Sequence, residues 1–347
     1  MIFRYTGAPS INSLLLEKML WVAKVKESQK AETATFSPRD YSKSISSPAP
    51  PEYLRIRIDL GSREFSGRAV HTLAPRKDGA FPTILFLHGG SYLINATRPH
   101  WRFLANLVEK TGCRVVAPDY PLAPGYCFAD AYRMLISLYG EMAADGGSGI
   151  VLMGDSAGGG LALGLSMMIR DEKLAPPAAV IMLSPWLDVT MSNPNIAAID
   201  PEDPFLNIQA LVRAGISSAG GANPRKPLVS PIYGRLEGLP PMHLFTGTKD
   251  VLAADCRRIR GLCMAAKAQL AYYEFENMVH DWMLLDFKEA RMAARQVAAI
   301  LAGIARPRSG RGLSKGRWFR ASIGQADYSA FSTAYCQYSG EWPSSTA

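Results

Sequence analysis

Apolar residues along this chain fall into short continuous runs that alternate with longer amphipathic stretches. Between most of the runs lie segments of helical length and period, such as RPHWRFLANLVEKTG. Short apolar strands separated by helices are typical of a parallel sheet with helices on both faces. The pattern therefore predicts an α/β fold with a mainly parallel sheet. Its strands are predicted at Pro82–His88, Arg114–Tyr120, Gly149–Gly154, Ala178–Ser184, Met242–Gly247 and Ala271–Glu276.

The N-terminal part of the chain shows different patterns. Over about Ile11–Lys30, apolar residues recur at helical spacing, which predicts an amphipathic helix. A stretch rich in Ser and Pro follows, ends at Ser46–Pro51 and is typical of a linker. The alternating runs Tyr53–Leu60 and Gly67–Leu73, with the short GSREFS between them, predict an antiparallel hairpin.

Half of the net positive charge lies at the C-terminal end. The protein has 38 Lys and Arg against 30 Asp and Glu, a formal net charge of +8. Residues 306–347 hold six of those cations and two acids, without apolar periodicity, so we expect a basic disordered tail. A terminal cluster attracts polyanions weakly but reads no base sequence. The charge therefore does not indicate a nucleic-acid-binding protein.

The cysteines and the apolar N-terminal stretch bear on localisation. No CxxC pair occurs among the five scattered cysteines, so we expect neither a zinc site nor a disulfide framework, and favour a cytoplasmic protein. The stretch Ser13–Val25 is interrupted by Glu17 and Lys18 and is too short to span a bilayer. We expect no signal peptide and no stable membrane insertion. Surface association of this helix is the weaker alternative.

The sequence GDSAG, Gly154–Gly158, lies at the end of a predicted strand and the start of an apolar helix. A sharp strand-to-helix turn needs glycine on either side of the central residue, because a Cβ there would clash with neighbouring backbone. The turn presents the hydroxyl of Ser156 above the sheet edge, at the positive end of the following helix. This position predicts that Ser156 is a nucleophile.

A serine hydroxyl needs a base to take its proton. The chain offers five histidines: His71, His88, His100, His243 and His280. In sheets that carry this turn, an acid and then a histidine follow the serine along the chain. Only the last two histidines follow Ser156, and His243 lies within a predicted apolar strand, where a structural role suits it better. His280, on a loop just past a predicted strand, is the predicted general base.

The acid that orients the histidine should follow the preceding strand. MHLFTGTKD places Asp250 just beyond that strand, at the same sheet edge as the serine and the histidine. Asp255, one turn further on, is the nearest competitor and suits capping or pairing within its helix. Asp281, next to the histidine, is expected to point elsewhere if His280 faces the serine.

A developing oxyanion requires hydrogen-bond donors. The first predicted parallel strand runs into HGGS, His88–Ser91, whose glycines leave backbone N–H groups free to approach an alkoxide. We predict an oxyanion hole formed by the N–H groups of Gly89, Gly90 and Ala157.

Taken together, these motifs resemble the hormone-sensitive-lipase-like esterases, a bacterial α/β-hydrolase group with an HGGG-type motif. The resemblance spans about residues 50–305 and rests, in family order, on HGGS, DYPLAP, GDSAGGGLA, SPWLD, SPIYG, TGTKDVL and MVHDW. It implies hydrolysis of small acyl esters, from acetyl to medium-chain, through an acyl-enzyme and without a metal or organic cofactor. It also implies an N-terminal helical cap, here residues 1–45, over the acyl pocket of a catalytic domain at 46–305. The family resemblance is the only feature of the sequence that suggests a homodimer.

Two of these motifs depart from the family pattern. Ser91 stands where the family has a third glycine, and Pro121 and Gly125 replace an Arg and a Glu of the usual DYRLAPE. Neither departure changes Ser156, His280 or Asp250, the predicted catalytic triad. A deacetylase or amidase with the same machinery stays open as an alternative, whereas the presence of His280 disfavours a non-catalytic ligand-binding member of the family.

Overall fold

The described strands of this protein form one mixed sheet. A computed structural model describes residues 1–29, 46–76, 82–144 and 149–305. The strands within these ranges are β1 (Ile2–Tyr5), β2 (Asp59–Phe65), β3 (Arg68–Ala74), β4 (Thr83–Leu87), β5 (Arg114–Pro118), β6 (Val151–Asp155), β7 (Ala179–Leu183), β8 (Met242–Lys249) and β9 (Leu270–Val279). They pair in the order β1-β9-β8-β7-β6-β4-β5-β3-β2. Only the β2–β3 and β3–β5 pairs among them are antiparallel. The predicted α/β fold with a mainly parallel sheet is confirmed.

Strands β4 to β9 correspond to the six runs predicted from the sequence. Every residue of β6 and β7 is buried, which explains why these strands read as continuous apolar segments rather than as alternating ones. β9 extends further than predicted, to Val279, so that His280 follows the strand directly.

The predicted hairpin forms, but its first strand is shifted along the chain. Glu52–Ile56 is a 3₁₀ helix, and the strand begins at Asp59, so the segment predicted as the turn is largely β2. The turn is Ser66–Gly67, where both residues have positive φ as in a type I′ turn. Leu54 and Ile58 are the buried residues in the misassigned run. Their spacing of four is helical, which is why an alternating pattern was misleading.

Helices cover both faces of the sheet. They are α1 (Ile11–Val22), α2 (Arg98–Thr111), α3 (Phe128–Ala144), α4 (Ser156–Asp171), α5 (Ile196–Ile199), α6 (Ile208–Ala219), α7 (Ala253–Ala265) and α8 (Lys288–Ala305). α4 packs against β6 and β7, while α2 and α8 contact each other and share an apolar core with the strands. A 3₁₀ turn at Trp282–Leu284 connects the end of β9 to α8.

The N-terminal segment joins the sheet before it reaches the helix. β1 pairs in parallel with β9 at the sheet edge, so this part of the predicted cap, residues 1–45, belongs to the sheet instead. The backbone N–H and the hydroxyl of Ser10 donate to the buried carboxylate of Glu289, each at 2.7 Å, and this fixes the start of α1 against α8. Residues 30–45 and the predicted tail at 306–347 lie outside the described residues. Within the described ranges, no helix is both long enough and apolar enough to cross a membrane.

Candidate active site

The predicted nucleophile lies on a sharp turn between β6 and α4. β6 ends at Asp155, and Ser156 is the first residue of the helix. Ser156 has a φ of +50°, a left-handed conformation that residues with a Cβ rarely adopt. A Cβ at Gly154 would collide with the carbonyl of Gly158, and one at Gly158 would collide with that of Leu87 on β4. The two flanking glycines therefore permit a turn this tight, as the sequence predicted.

Three side chains from three strand ends meet at this turn. The Oγ of Ser156 lies 2.9 Å from Nε2 of His280, and Nδ1 of His280 lies 2.9 Å from Oδ2 of Asp250. Each residue directly follows a parallel strand, β6, β9 or β8, and the carboxyl ends of parallel strands share one edge of the sheet. The second oxygen of Asp250 accepts the N–H of Leu252, which holds the buried carboxylate in place. The structure thus brings the predicted serine, histidine and acid together in hydrogen-bonding geometry.

Asp255, the competing acid, lies away from this contact. Its Oδ1 accepts a hydrogen bond from the side chain of Asn193 at 2.9 Å and lies 4.0 Å from Arg258. It lies in the first turn of α7. The geometry therefore favours Asp250 as the partner of the histidine.

A buried carboxylate that the sequence did not reveal, Asp203, holds the segment that covers the histidine. Asp203 accepts the N–H groups of Phe205 and Leu206 on one oxygen and that of Val251 on the other. Phe205 in turn stacks on the ring of His280, with centroids 5.9 Å apart. Asp203 therefore ties the segment that covers the imidazole to the loop that carries Asp250. It lies in a long insertion without periodicity, so no sequence pattern distinguished it.

Gly89 does not fit the predicted oxyanion hole. Its N–H donates to Oδ2 of Asp155 at 3.0 Å, and a Cβ at this position would collide with the same carboxylate. The N–H is therefore already engaged, and the prediction for this residue is wrong. The glycine is needed for close packing, because no side chain fits between the two segments.

Other backbone N–H groups near the nucleophile are not engaged in this way. Gly90 and Ser91 both line the cavity next to Ser156, and both have positive φ. Within the described part of the chain, neither N–H has a hydrogen-bond acceptor. Ala157 lies in the first turn of α4, where N–H groups have no acceptor within their own helix. Gly90, Ser91 and Ala157 are therefore the candidate N–H donors beside the serine.

The carboxylate behind the nucleophile is hydrogen-bonded to a buried histidine. Asp155 is fully buried, and its Oδ2 lies 3.0 Å from Nε2 of His100. Burial favours the neutral form of Asp155, but His100 outweighs it and lowers the carboxyl pKa. Burial likewise lowers the pKa of His100, but the carboxylates of Asp155 and Asp281 outweigh burial and raise it. His88 of the HGGS motif differs, since burial lowers its pKa to about 4 and keeps it neutral.

Asp281 does not point away from the histidine as expected. Its Oδ2 lies 3.1 Å from Nε2 of His280, the nitrogen that Ser156 also approaches. Asp281 has a φ of +50°, and this turn in the backbone breaks the alternation of side chains that an extended chain would give. Its other oxygen, Oδ1, is buried and has no hydrogen-bond partner among the described residues.

A cavity of about 440 Å³ opens beside Ser156. This volume lies within the range of small-molecule sites. Its polar lining includes Ser156, His280 and Asp281, and most of the remaining wall is apolar. The apolar side chains come from α1, the start of α2, α6, the end of β9 and the segments between elements: Leu16, Leu20, Leu93, Ile94, Pro99, Phe205, Leu206, Ala210, Leu211, Ala214, Val279, Leu284 and Leu285. The arrangement suits a ligand with an apolar chain and a carbonyl group at the serine.

A family model described as an α/β-hydrolase fold matches residues 84–284. The chain belongs to this α/β-hydrolase family. The hydrolase is 32% identical to an acetyl-hydrolase from Streptomyces hygroscopicus, over 60% of this chain and 69% of that one. It is 29% identical to an esterase from Acinetobacter venetianus, over 64% of this chain and 75% of that one.

Solved structures agree with these relatives. An esterase of the bacterial hormone-sensitive lipase family superposes on the hydrolase with a TM-score of 0.74 and 27% identity, covering 86% of this chain and 100% of that one. The resemblance to hormone-sensitive-lipase-like esterases is confirmed, and the hydrolase is a carboxylic ester hydrolase.

The departures from the family motifs have local consequences in this hydrolase. Ser91 adopts a φ of +53°, a conformation that glycine tolerates without strain and that costs other residues on the order of 1 kcal/mol. In the DYPLAPG segment, the hydroxyl of Tyr120 donates to the carbonyl of His88 at 2.6 Å, and Asp119 pairs with Arg68. The segment therefore still supports the HGGS loop through its Tyr.

Proposed function

We propose that this α/β-hydrolase cleaves acyl esters, from acetyl to medium-chain, through an acyl-enzyme on Ser156. The observation that carries the proposal is the 2.9 Å contact between Ser156 Oγ and Nε2 of His280, whose other ring nitrogen faces the buried Asp250. A serine whose hydroxyl faces a histidine oriented by a carboxylate is an activated nucleophile.

The first half of the reaction forms the acyl-enzyme. His280 takes the proton of the Ser156 hydroxyl as Oγ bonds to the ester carbonyl carbon. The carbonyl oxygen gains negative charge and accepts hydrogen bonds from the N–H groups of Gly90, Ser91 and Ala157. Asp250 stabilises the imidazolium that forms. The imidazolium then gives its proton to the alkoxide as the ester C–O bond breaks, and the alcohol leaves.

Water completes the cycle by the same route. His280 takes a proton from water, the resulting hydroxide attacks the acyl carbon, and the tetrahedral intermediate again faces the three N–H groups. Collapse breaks the bond to Ser156 Oγ, which recovers its proton from the imidazolium. The products are a carboxylic acid and the free serine, and every proton taken is returned.

The volume and the lining of the cavity support a small or medium acyl chain. Its wall is largely apolar, and α1 contributes Leu16 and Leu20 to it. α1 is held in position by the 2.7 Å contact between Glu17 and Lys249, in addition to the anchor at its first turn. We propose that this helix acts as the cap over the acyl chain. An acetyl-hydrolase among the relatives favours acetyl esters within the range.

Hydrolysis of p-nitrophenyl esters from acetate to decanoate tests the proposal. Ser156→Ala should lose a factor on the order of 10⁴ to 10⁶ in kcat, since the nucleophile acts as a unit with its base. Ser166→Ala is the matched control, because this hydroxyl lies on the same helix but donates to Leu163 within it. Turnover by Ser156→Ala at the rate of the wild type would rule out the mechanism.

A further inference from the structure

The imidazole of His280 has two oxygen neighbours at one nitrogen. Nε2 lies 2.9 Å from the hydroxyl oxygen of Ser156 and 3.1 Å from Oδ2 of Asp281. Nδ1 on the opposite side of the ring is already paired with Asp250. The ring therefore lies between two carboxylates, and the residue is only 5% exposed.

The two neighbours of Nε2 favour different protonation states of the ring. Neutral His280, with its proton on Nδ1, presents a lone pair at Nε2, which accepts the hydroxyl proton of Ser156. A carboxylate oxygen at 3.1 Å then faces that lone pair and is repelled. Protonated His280 is positively charged, and the Asp281 carboxylate 3.1 Å from Nε2 stabilises that charge. Asp281 thus stabilises the form of the ring that is unable to take the proton from serine.

The surroundings strengthen this effect. Phe205 covers one face of the imidazole, so little water is present to screen the charges. Burial alone would lower the pKa of His280, but Asp281 and Asp250 outweigh it and raise the pKa well above its ordinary value. Asp203 is a further buried carboxylate near Asp250. One of its oxygens accepts the N–H of Val251, so it is bound to the loop that carries Asp250 and not to Nε2 of His280.

Asp281 has charged neighbours of its own. Asp155 from β6 and His100 from α2 both act electrostatically on it. Burial raises the pKa of Asp281 to about 6, and Asp155 adds to this increase, while His280 and His100 oppose it. Oδ1 of Asp281 is buried and has no hydrogen-bond partner among the described residues, whereas Oδ2 is paired with His280. The backbone N–H of Asp281 donates to the hydroxyl of Ser184 at 3.4 Å.

Building on the proposed function, we propose that Asp281 is a positioning residue that holds the general base in its protonated form, so that the hydrolase becomes active at a higher pH than the triad alone would allow. The geometry at Nε2 carries this assignment, because one nitrogen is shared by the nucleophile and a carboxylate. Deprotonation of the ring releases it from Asp281 and makes it available to Ser156.

The acid limb of the pH profile of kcat/KM measures the effect, because it reports ionisations of the free enzyme. Asp281→Asn keeps the shape of the side chain and removes its charge. An opposite charge at this distance shifts a pKa by about one unit or more, so the limb should move about one unit to lower pH. At one unit below the wild-type midpoint, the activity of the variant relative to its own plateau should then be about fivefold higher.

Asp286→Asn is the matched control. It removes one negative charge from the same connecting segment, but its side chain is 60% exposed and pairs with Arg291. Its acid limb should coincide with that of the wild type. Asp281→Ser is a second variant without the charge, in case the amide of Asn packs poorly, and should reproduce the shift.

A titration that needs no turnover separates this proposal from the proposed function. In ¹⁵N-histidine-labelled protein, the chain has five histidines, and the ring signals of His280 are those absent from His280→Gln. The midpoint of His280 should fall by about one unit in Asp281→Asn and stay unchanged in Asp286→Asn.

The possible results are distinct. An unchanged His280 midpoint in both Asp281 variants would overturn the assignment even if ester hydrolysis is confirmed, as would an equal shift in Asp286→Asn. If no ester is hydrolysed, the proposed function fails, whereas the NMR midpoint still decides whether Asp281 holds the proton on His280.

Discussion

The N–H of Gly89 donates to the carboxylate of Asp155, 3.0 Å away and directly behind the nucleophile. This contact removes one of the expected donors from the oxyanion hole and joins the HGGS loop to the strand that carries Ser156. The two motifs are therefore held together by a buried carboxylate as well as by packing.

Gly89→Ala should destabilise the protein because its Cβ would collide with the Asp155 carboxylate. Overpacking of this kind costs about 1–3 kcal/mol in the free energy of unfolding, which denaturant melts can measure. Gly140→Ala is the control, since nothing lies within 4 Å of a Cβ at that position in α3. That variant should gain a few tenths of a kcal/mol or more from helix propensity. Equal stability of Gly89→Ala and the wild type would contradict the close packing described at this site.

Asp250→Asn should lower kcat by a factor of about 10³ to 10⁴, because an amide facing Nδ1 favours the wrong tautomer of His280. Asp255→Asn should change kcat less than about tenfold, since that side chain contacts Asn193 and not the imidazole. Steady-state kinetics with p-nitrophenyl acetate compares the two. A larger loss in Asp255→Asn would reverse the assignment of the orienting acid.

Leu16→Trp should narrow the cavity and shorten the preferred acyl chain, because Leu16 lies in the cavity wall. The ratio of kcat/KM for decanoate to that for acetate should fall about tenfold or more, while activity on acetate is largely kept. Leu15→Trp is the control on the same helix, with a side chain that is 52% exposed. An unchanged chain-length ratio in Leu16→Trp would argue against α1 as the cap.

Asp203→Asn should alter the pH dependence of stability. Burial and the neighbouring Asp250 raise the pKa of Asp203 to about 6, so the folded protein holds this proton more tightly than the unfolded chain. The contribution of Asp203 is therefore fully present below the unfolded pKa, near 4, and is lost as the pH rises through about 6. The Tm of the variant, relative to wild type, should increase between roughly pH 4 and pH 7. Asp171→Asn, an exposed carboxylate, should show no such trend in calorimetry, and a flat difference for Asp203→Asn would refute the expectation.

Much of the fold was readable from the sequence because the central strands are buried on both faces. β6 and β7 consist of buried residues throughout, so their apolar runs have few alternative interpretations. The first strand of the hairpin was misplaced because Leu54 and Ile58 satisfy an alternating and a helical pattern equally well. β1 was missed because four residues at a sheet edge carry too little pattern.

The catalytic candidates were also readable from the sequence. GDSAG at a strand-to-helix junction identifies Ser156, and the chain order of serine, acid and histidine leaves His280 and points to Asp250. These residues follow the ends of parallel strands, and the sheet itself places such positions on one edge. No distant contact had to be known to select them.

Only the tertiary structure decided what surrounds those three residues. The acceptor for the N–H of Gly89 lies 66 positions further along the chain, and Asp203 reaches a loop 48 positions away. The direction of the Asp281 side chain depends on the left-handed backbone conformation of this residue, which no local sequence pattern predicted. A hydrogen bond is set by the position of both partners in space, so a motif can identify the nucleophile and its base but cannot show which polar groups compete for them.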